Sequence, residues 1–172
     1  MSTQFRYVCV AALFLLSQSF DDLALGADKS EIVSRCKQAT AFVDLGVFGS
    51  ASAFCIDASG LFLTNHHVVG SQAIGDTVRL VLNSAGKQER TIEARIICWD
   101  EERDLAILKA ENANELVALT LADTKDLKET DVVTAFGFPF GRRLSADIKS
   151  TPEISVNVGR ISALRRKNEE LQ

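Results

Sequence analysis

The segment RTIEARII, residues 90–97, alternates strictly. Ile92, Ala94 and Ile96 fall on one side, and Thr91, Glu93 and Arg95 on the other. A period of two is that of an extended strand with one buried face and one wet face, not of an amphipathic helix. The pattern recurs. TVRLVLN (77–83) sets Val78, Leu80 and Leu82 on one face, and the turn-like SAGK (84–87) follows it. SAFCID (52–57) and LFLT (61–64) flank ASG, a hairpin-turn composition. TAFVDLGVF (40–48) and DLAILKA (104–110) complete six short β-rich segments. Many short strands punctuated by turns predict an all-β fold, an antiparallel barrel or a sandwich.

The flanks are read more coarsely. DKSEIVSRCKQAT (28–40) predicts a short helix, opened by Asp28 and Glu31 as a capping box. Residues 111–131 are polar and weakly periodic, a connector with one short strand and one turn of helix. VVTAFGFPFG (132–141) and EISVNVGRISAL (153–164) are again strand-like, and the last eight residues, RRKNEELQ, read as a solvated tail. Six strands before the connector and two after it predict one complete barrel followed by the start of another.

Of the 172 residues 47% are hydrophobic and 24% charged, an ordinary globular balance. The net charge of −4 supplies no positive field for phosphates, so nucleic acid is not an expected partner. The N-terminus reads as an export signal. Arg6 precedes the apolar YVCVAALFLL (7–16), polar residues end it, and ALGA (24–27) offers small residues for cleavage. A span needs roughly 20 apolar residues, so a cleaved signal is expected rather than a stable membrane span. The expected location is therefore exported: periplasmic, cell-envelope or secreted. The resulting division is 1–27 signal peptide, 28–115 first barrel, and 116–172 connector and incomplete second barrel. Cys36, Cys55 and Cys98 follow the signal. Three cysteines cannot all pair within one chain, which leaves either one disulfide or buried free thiols.

Both histidines stand side by side in LTNHHVVG (63–70). A histidine at a strand end acts as a general base when a carboxylate holds its second ring nitrogen. CWDEERDLAILKA (98–110) offers Asp100, Glu101, Glu102 and Asp104. The first three read as a solvated turn. Asp104 directly precedes the apolar run of Leu105 to Leu108, where a carboxylate needs a donor. A zinc site from His66, His67 and a cysteine is the alternative, but adjacent histidines diverge and no ligand pair has the usual spacing.

These segments resemble trypsin-like serine proteases of the HtrA/Deg type. GSASAFCIDASGLFLTNHHVVG (49–70) is similar to the first-barrel signature of that family, with its Leu-Thr-Asn-x-His-Val-Val. WDEERDLAILK resembles its Asp-Leu-Ala-x-Leu segment, VVTAFGFPFG its Gly-x-Pro-x-Gly strand, and SVNVGRISAL its Val-x-x-Gly-x-Ile-Ser strand. The four occur in the family's order and cover roughly residues 40–165. The resemblance implies a trypsin-like antiparallel β-barrel fold, His67 as the catalytic base, Asp104 as its orienting acid, and His66 as a bystander. It implies no cofactor and polypeptide substrates.

The family's nucleophile lies in Gly-x-Ser-Gly-Gly, which does not occur in these 172 residues. Ser145, Ser150, Ser155 and Ser162 lack a glycine frame that would expose a hydroxyl and build an oxyanion hole. The expectation is a serine endopeptidase lineage with little or no peptidase activity in this chain alone. The alternatives are a secreted pseudoprotease that binds peptides, self-associating through open strand edges, and a poorly folding fragment.

Overall fold

The computed structural model describes residues 29–171 other than 112, 126, 146–149, 168 and 169. The export-signal reading and Asp28 of the expected capping box lie outside the described residues. Eleven of the thirteen residues of the expected helix form α1 (Lys29–Ala39). Six strands follow: β1 (Thr40–Asp44), β2 (Ser50–Asp57), β3 (Leu61–Thr64), β4 (Thr77–Leu82), β5 (Arg90–Asp100) and β6 (Leu105–Ala110). They close into a barrel in the order β1-β2-β3-β6-β5-β4, with every pairing antiparallel. The topology is two three-stranded meanders, joined edge to edge by β1–β4 and β3–β6.

Alternation fills the barrel. Val78, Leu80 and Leu82 of β4 and Ala94 and Ile96 of β5 point inward with Phe62 and Leu108, all at most 3% exposed. The apolar run after Asp104 divides between the two faces. Ala106, Leu108 and Ala110 are buried inside, whereas Leu105 is 38% exposed. β5 is longer than its alternating segment because it serves two partners. Its first half pairs with β4 and its second half with β6, across a bulge between Ile96 and Cys98. The bulge interrupts the period, so Ile97 and Cys98 are both exposed. Bulges of this kind bend a strand and re-aim the residues beyond it, here Trp99 and the turn that carries Asp104.

β1 is buried at all five positions. Ala41 and Val43 face the barrel core, while Phe42 turns outward onto Val81 and Phe138. The Phe42 and Phe138 rings meet edge to face, centroids 5.2 Å apart. α1 covers the adjoining surface, its Cys36 and Ala39 packing with Leu119 and Phe136. The buried Asp44 carboxylate is matched by Arg79, at 2.8 Å.

Residues 111–131 cross the barrel without a helix or strand among the described positions, contrary to the expected short strand and helical turn. Their fixed point is Leu119, whose N–H donates to the carbonyl of Cys55 at 2.9 Å. Beyond them, β7 (Val132–Gly137) and β8 (Ser155–Arg160) pair antiparallel as a second, partial sheet. In the tail expected to be solvated, β9 (Arg166–Lys167) and β10 (Glu170–Leu171) form a small antiparallel pair. The second sheet is tied to the barrel at Ser52, whose buried hydroxyl accepts the N–H of Phe138 at 2.9 Å. Gly141 lies just beyond with φ +52, and a Cβ there would run into the Ser50 hydroxyl. Only glycine combines that backbone with that approach.

The three cysteines in the described region are free: Cys36 and Cys55 buried, Cys98 exposed. Burial pushes the Cys36 and Cys55 thiols up, against the weaker opposing pulls of Arg35 on Cys36 and of the Asp57 hydrogen bond on Cys55. They pack as small hydrophobic side chains.

Candidate active site

β3 ends at Thr64, whose hydroxyl is buried and donates to the carbonyl of Ser52 at 2.9 Å. The chain then leaves the sheet and makes a single helical turn, α2 (His66–Val69), with Asn65 at its N-cap. The two histidines therefore do not diverge as neighbours in an extended segment. They diverge because successive residues of a helical turn are about 100° apart. Val68 and Val69 bury under the turn and anchor it in the barrel core.

His66 turns toward β5, with its ring 5.4 Å from that of Trp99 and tilted at 45°. It also lies over Gly70, where an added Cβ would come within 2.8 Å of its Nε2. It is thus part of the packing around the turn, on the side away from Asp104.

His67 turns the other way, to Asp104. Its Nδ1 is 2.6 Å from Asp104 Oδ2, and its backbone N–H donates to Asp104 Oδ1 at 2.8 Å. The two residues are brought together by strand pairing. Thr64 of β3 lies opposite Ala106 of β6, so the turn after β3 and the turn before β6 share one end of the barrel. The β5–β6 connection is a tight one, with Asp100 opposite Leu105. Asp100 caps it by accepting the N–H of Arg103 at 3.0 Å and its guanidinium at 2.8 Å. Asp104 closes the turn in the left-handed region, at φ +55. Hairpin loops of this length commonly need such a residue at their end, and Asp tolerates it better than most.

The environment favours the Asp104 carboxylate. Partial burial pushes its pKa up, but the hydrogen bonds from the His67 N–H and ring, the His67 charge and the Asn65 amide outweigh this. The net shift is downward. A carboxylate on Nδ1 selects the tautomer that protonates Nδ1 and leaves Nε2 as an acceptor. The side chains of His67 and Asp104 are 41% and 38% exposed, so the ring is open to a reactant.

Sequence reasoning therefore named both partners of this contact. It missed Asn65, whose side-chain amide donates to the carbonyl of Asp104 at 3.0 Å and to its Oδ2 at 3.2 Å. The available signal was an Asn between a strand and a helical turn, an N-cap position, which becomes visible only once HHVV is read as helical. Among the described residues no cluster of three or more His, Cys, Asp or Glu is placed to hold a metal ion, so the zinc alternative finds no ligand set there.

Comparison with known proteins places this geometry. A family model for the trypsin-like peptidase domain matches residues 51–172. A probable periplasmic serine endoprotease DegP-like from Halomonas elongata is 36% identical over 115 residues, covering 67% of this chain and 20% of its own length. The periplasmic pH-dependent serine endoprotease DegQ of Escherichia coli K12 is 33% identical over 94 residues, 54% of this chain and 19% of that protein. The chain thus spans about a fifth of the length of these curated relatives. Among solved structures, the HtrA-type protease AlgW with tripeptide superposes with a TM-score of 0.63 at 27% identity, over 83% of this chain and 42% of that one. Deg5 superposes at 0.65, with 23% identity, over 82% of this chain and 68% of its own, a likeness of fold. A closed antiparallel barrel with a second partial sheet, matched by this family model over most of its length, makes the chain a member of the trypsin-like peptidase family, of the HtrA type.

Proposed function

We propose that His67 and Asp104 are the base and orienting acid of a serine endopeptidase site that hydrolyses peptide bonds in polypeptide substrates. The observation that carries this reading is the double contact of the Asp104 carboxylate with the His67 ring and N–H. In the reaction His67 Nε2 takes the proton of a serine hydroxyl as it attacks the peptide carbonyl. His67 then returns that proton to the leaving amine, while Asp104 holds the ring and stabilises the imidazolium. The nucleophile is not provided by a Gly-x-Ser-Gly-Gly within the 172 residues, so these residues by themselves have little or no turnover. The division at 27 and 115, an export signal, a first barrel and an incomplete second barrel, belongs to the same reading. So does an exported, periplasmic or cell-envelope location, supported by the periplasmic relatives. Among the described residues no helix is long and apolar enough to cross a membrane. Self-association through β8 is part of the proposal as well. β8 pairs only with β7 among the described residues, and Val158 is 72% exposed.

Two measurements test this. Ring-nitrogen NMR of the full chain at neutral pH is expected to find neutral His67 protonated at Nδ1. An Nε2–H tautomer contradicts the assignment. A labelled-peptide assay of the 172 residues is expected to show no turnover above buffer. Turnover abolished both by His67→Ala and by a serine-directed covalent inhibitor contradicts the missing nucleophile.

A further inference from the structure

We propose that Asn65 is a positioning residue of this site, its side-chain amide holding the main chain and the carboxylate of Asp104 together in the one arrangement that seats His67. The inference rests on the reading of His67 and Asp104 as base and orienting acid. It is carried by an exchange of hydrogen-bonding roles. Asn65 is the N-cap of α2, in extended backbone at φ −85, ψ 149. Asn is favoured at that position because its side-chain oxygen accepts the N–H of the second or third helical residue. Here the Asn65 side chain makes no such bond. The N–H of the second helical residue, His67, goes across to Asp104 Oδ1. The amide of Asn65 turns toward Asp104 and gives Nδ2 to its carbonyl oxygen at 3.0 Å and to Oδ2 at 3.2 Å.

One amide nitrogen carries two hydrogens, so both acceptors can be served at once. Bonding the carbonyl holds Asp104 in its left-handed backbone, φ +55. Bonding Oδ2 fixes the rotation of the carboxylate, and Oδ2 is the oxygen that lies 2.6 Å from His67 Nδ1. Oδ1 is then left for the His67 N–H. Asn65 does not touch the reacting atoms. It acts through Asp104, from the end of β3, and does not depend on the His67 ring for its own place.

The test begins with the unsubstituted full chain. The Asn65 side-chain amide hydrogens are expected to exchange with solvent slower than those of Asn157, exposed on β8, by on the order of tenfold. Two variants complete it. Asn65→Ser keeps the N-cap preference and removes the amide. Asn65→Asp keeps the shape and sets a second carboxylate where the donor was. Both are expected to melt cooperatively, yet to show reduced occupancy of the His67 Nδ1–H tautomer and faster exchange of that proton, with the larger change in Asn65→Asp. Asn65 amide exchange as fast as that of Asn157 overturns the inference. So does a variant that loses thermal stability while its His67 Nδ1–H signal is unchanged, since that is what a purely structural role would do. If the variants fail to fold, the amide exchange of the unsubstituted chain decides alone. If the unsubstituted chain lacks the Nδ1–H tautomer while the Asn65 amide is protected, the base-and-acid reading fails and the hold of Asn65 on Asp104 stands.

Discussion

The carboxylate of Asp104 is held down in pKa by donors that exist only in the folded chain, and this has a thermodynamic consequence. A group with a depressed folded pKa contributes stability above its unfolded value, about 3.9 for Asp, and loses it as the pH falls through the folded value. Chemical unfolding of the wild type and Asp104→Asn is therefore expected to differ most near neutral pH, with the gap closing below about pH 4. A gap that stays constant down to pH 2 would mean that the charge of Asp104 is not what its donors favour. The neighbouring histidine makes a separate prediction. Gly70 has an ordinary helical φ of −66, where Ala would otherwise stabilise by about 0.4–1 kcal/mol. Here the new Cβ would meet Nε2 of the His66 ring at 2.8 Å, so the ring would have to give way from its place against Trp99. Gly70→Ala is expected to destabilise by about 1 kcal/mol and to become neutral or stabilising in a His66→Ala background. A thermal double-mutant cycle measures this. Equal effects in the two backgrounds would separate Gly70 from His66.

At the level of elements, the period-two segments were readable from sequence because a barrel strand with one wet face must alternate. LFLT became β3 at the expected residues, and RTIEARII became the first eight residues of β5. What was hidden are the places where a strand meets a second partner. The bulge at Ile97 and the extension of β5 to Asp100 depend on β6, which is a separate segment of the sequence. The helical turn of His66–Val69 was also unreadable. Four residues are too few to show a period, and HHVV reads as strand because valine is β-branched. The site was nevertheless readable as a pair of residues, although the turn that separates the two histidines and the third partner, Asn65, were not. β1 shows the same limit from the other side. Its five positions are all buried because α1 and the second sheet cover its outer face, which no local pattern announces. Phe42→Ala, at the meeting of barrel and second sheet, is expected to cost about 3–5 kcal/mol in denaturant unfolding. Near-wild-type stability would mean that the outer face of β1 does not hold the two sheets together.

At the scale of the molecule, a closed barrel is joined to a second sheet whose outer strand, β8, pairs only with β7 among the described residues. Strand edges of this kind template pairing with another chain. Light scattering is expected to show concentration-dependent self-association, weakened by Val158→Lys, since charge on an edge strand opposes pairing. A monodisperse monomer at all concentrations contradicts it. The proposed role of this barrel, to supply the base half of a serine-peptidase site, can be tried by supplying the other half. The full chain can be joined after Gln172 to a second-barrel segment chosen to carry a Gly-x-Ser-Gly-Gly motif, and its turnover of a labelled peptide measured with and without His67. Serine-inhibitor-sensitive turnover that His67→Ala lowers by about 10⁴-fold or more is expected. Turnover of the same size after His67→Ala would contradict it.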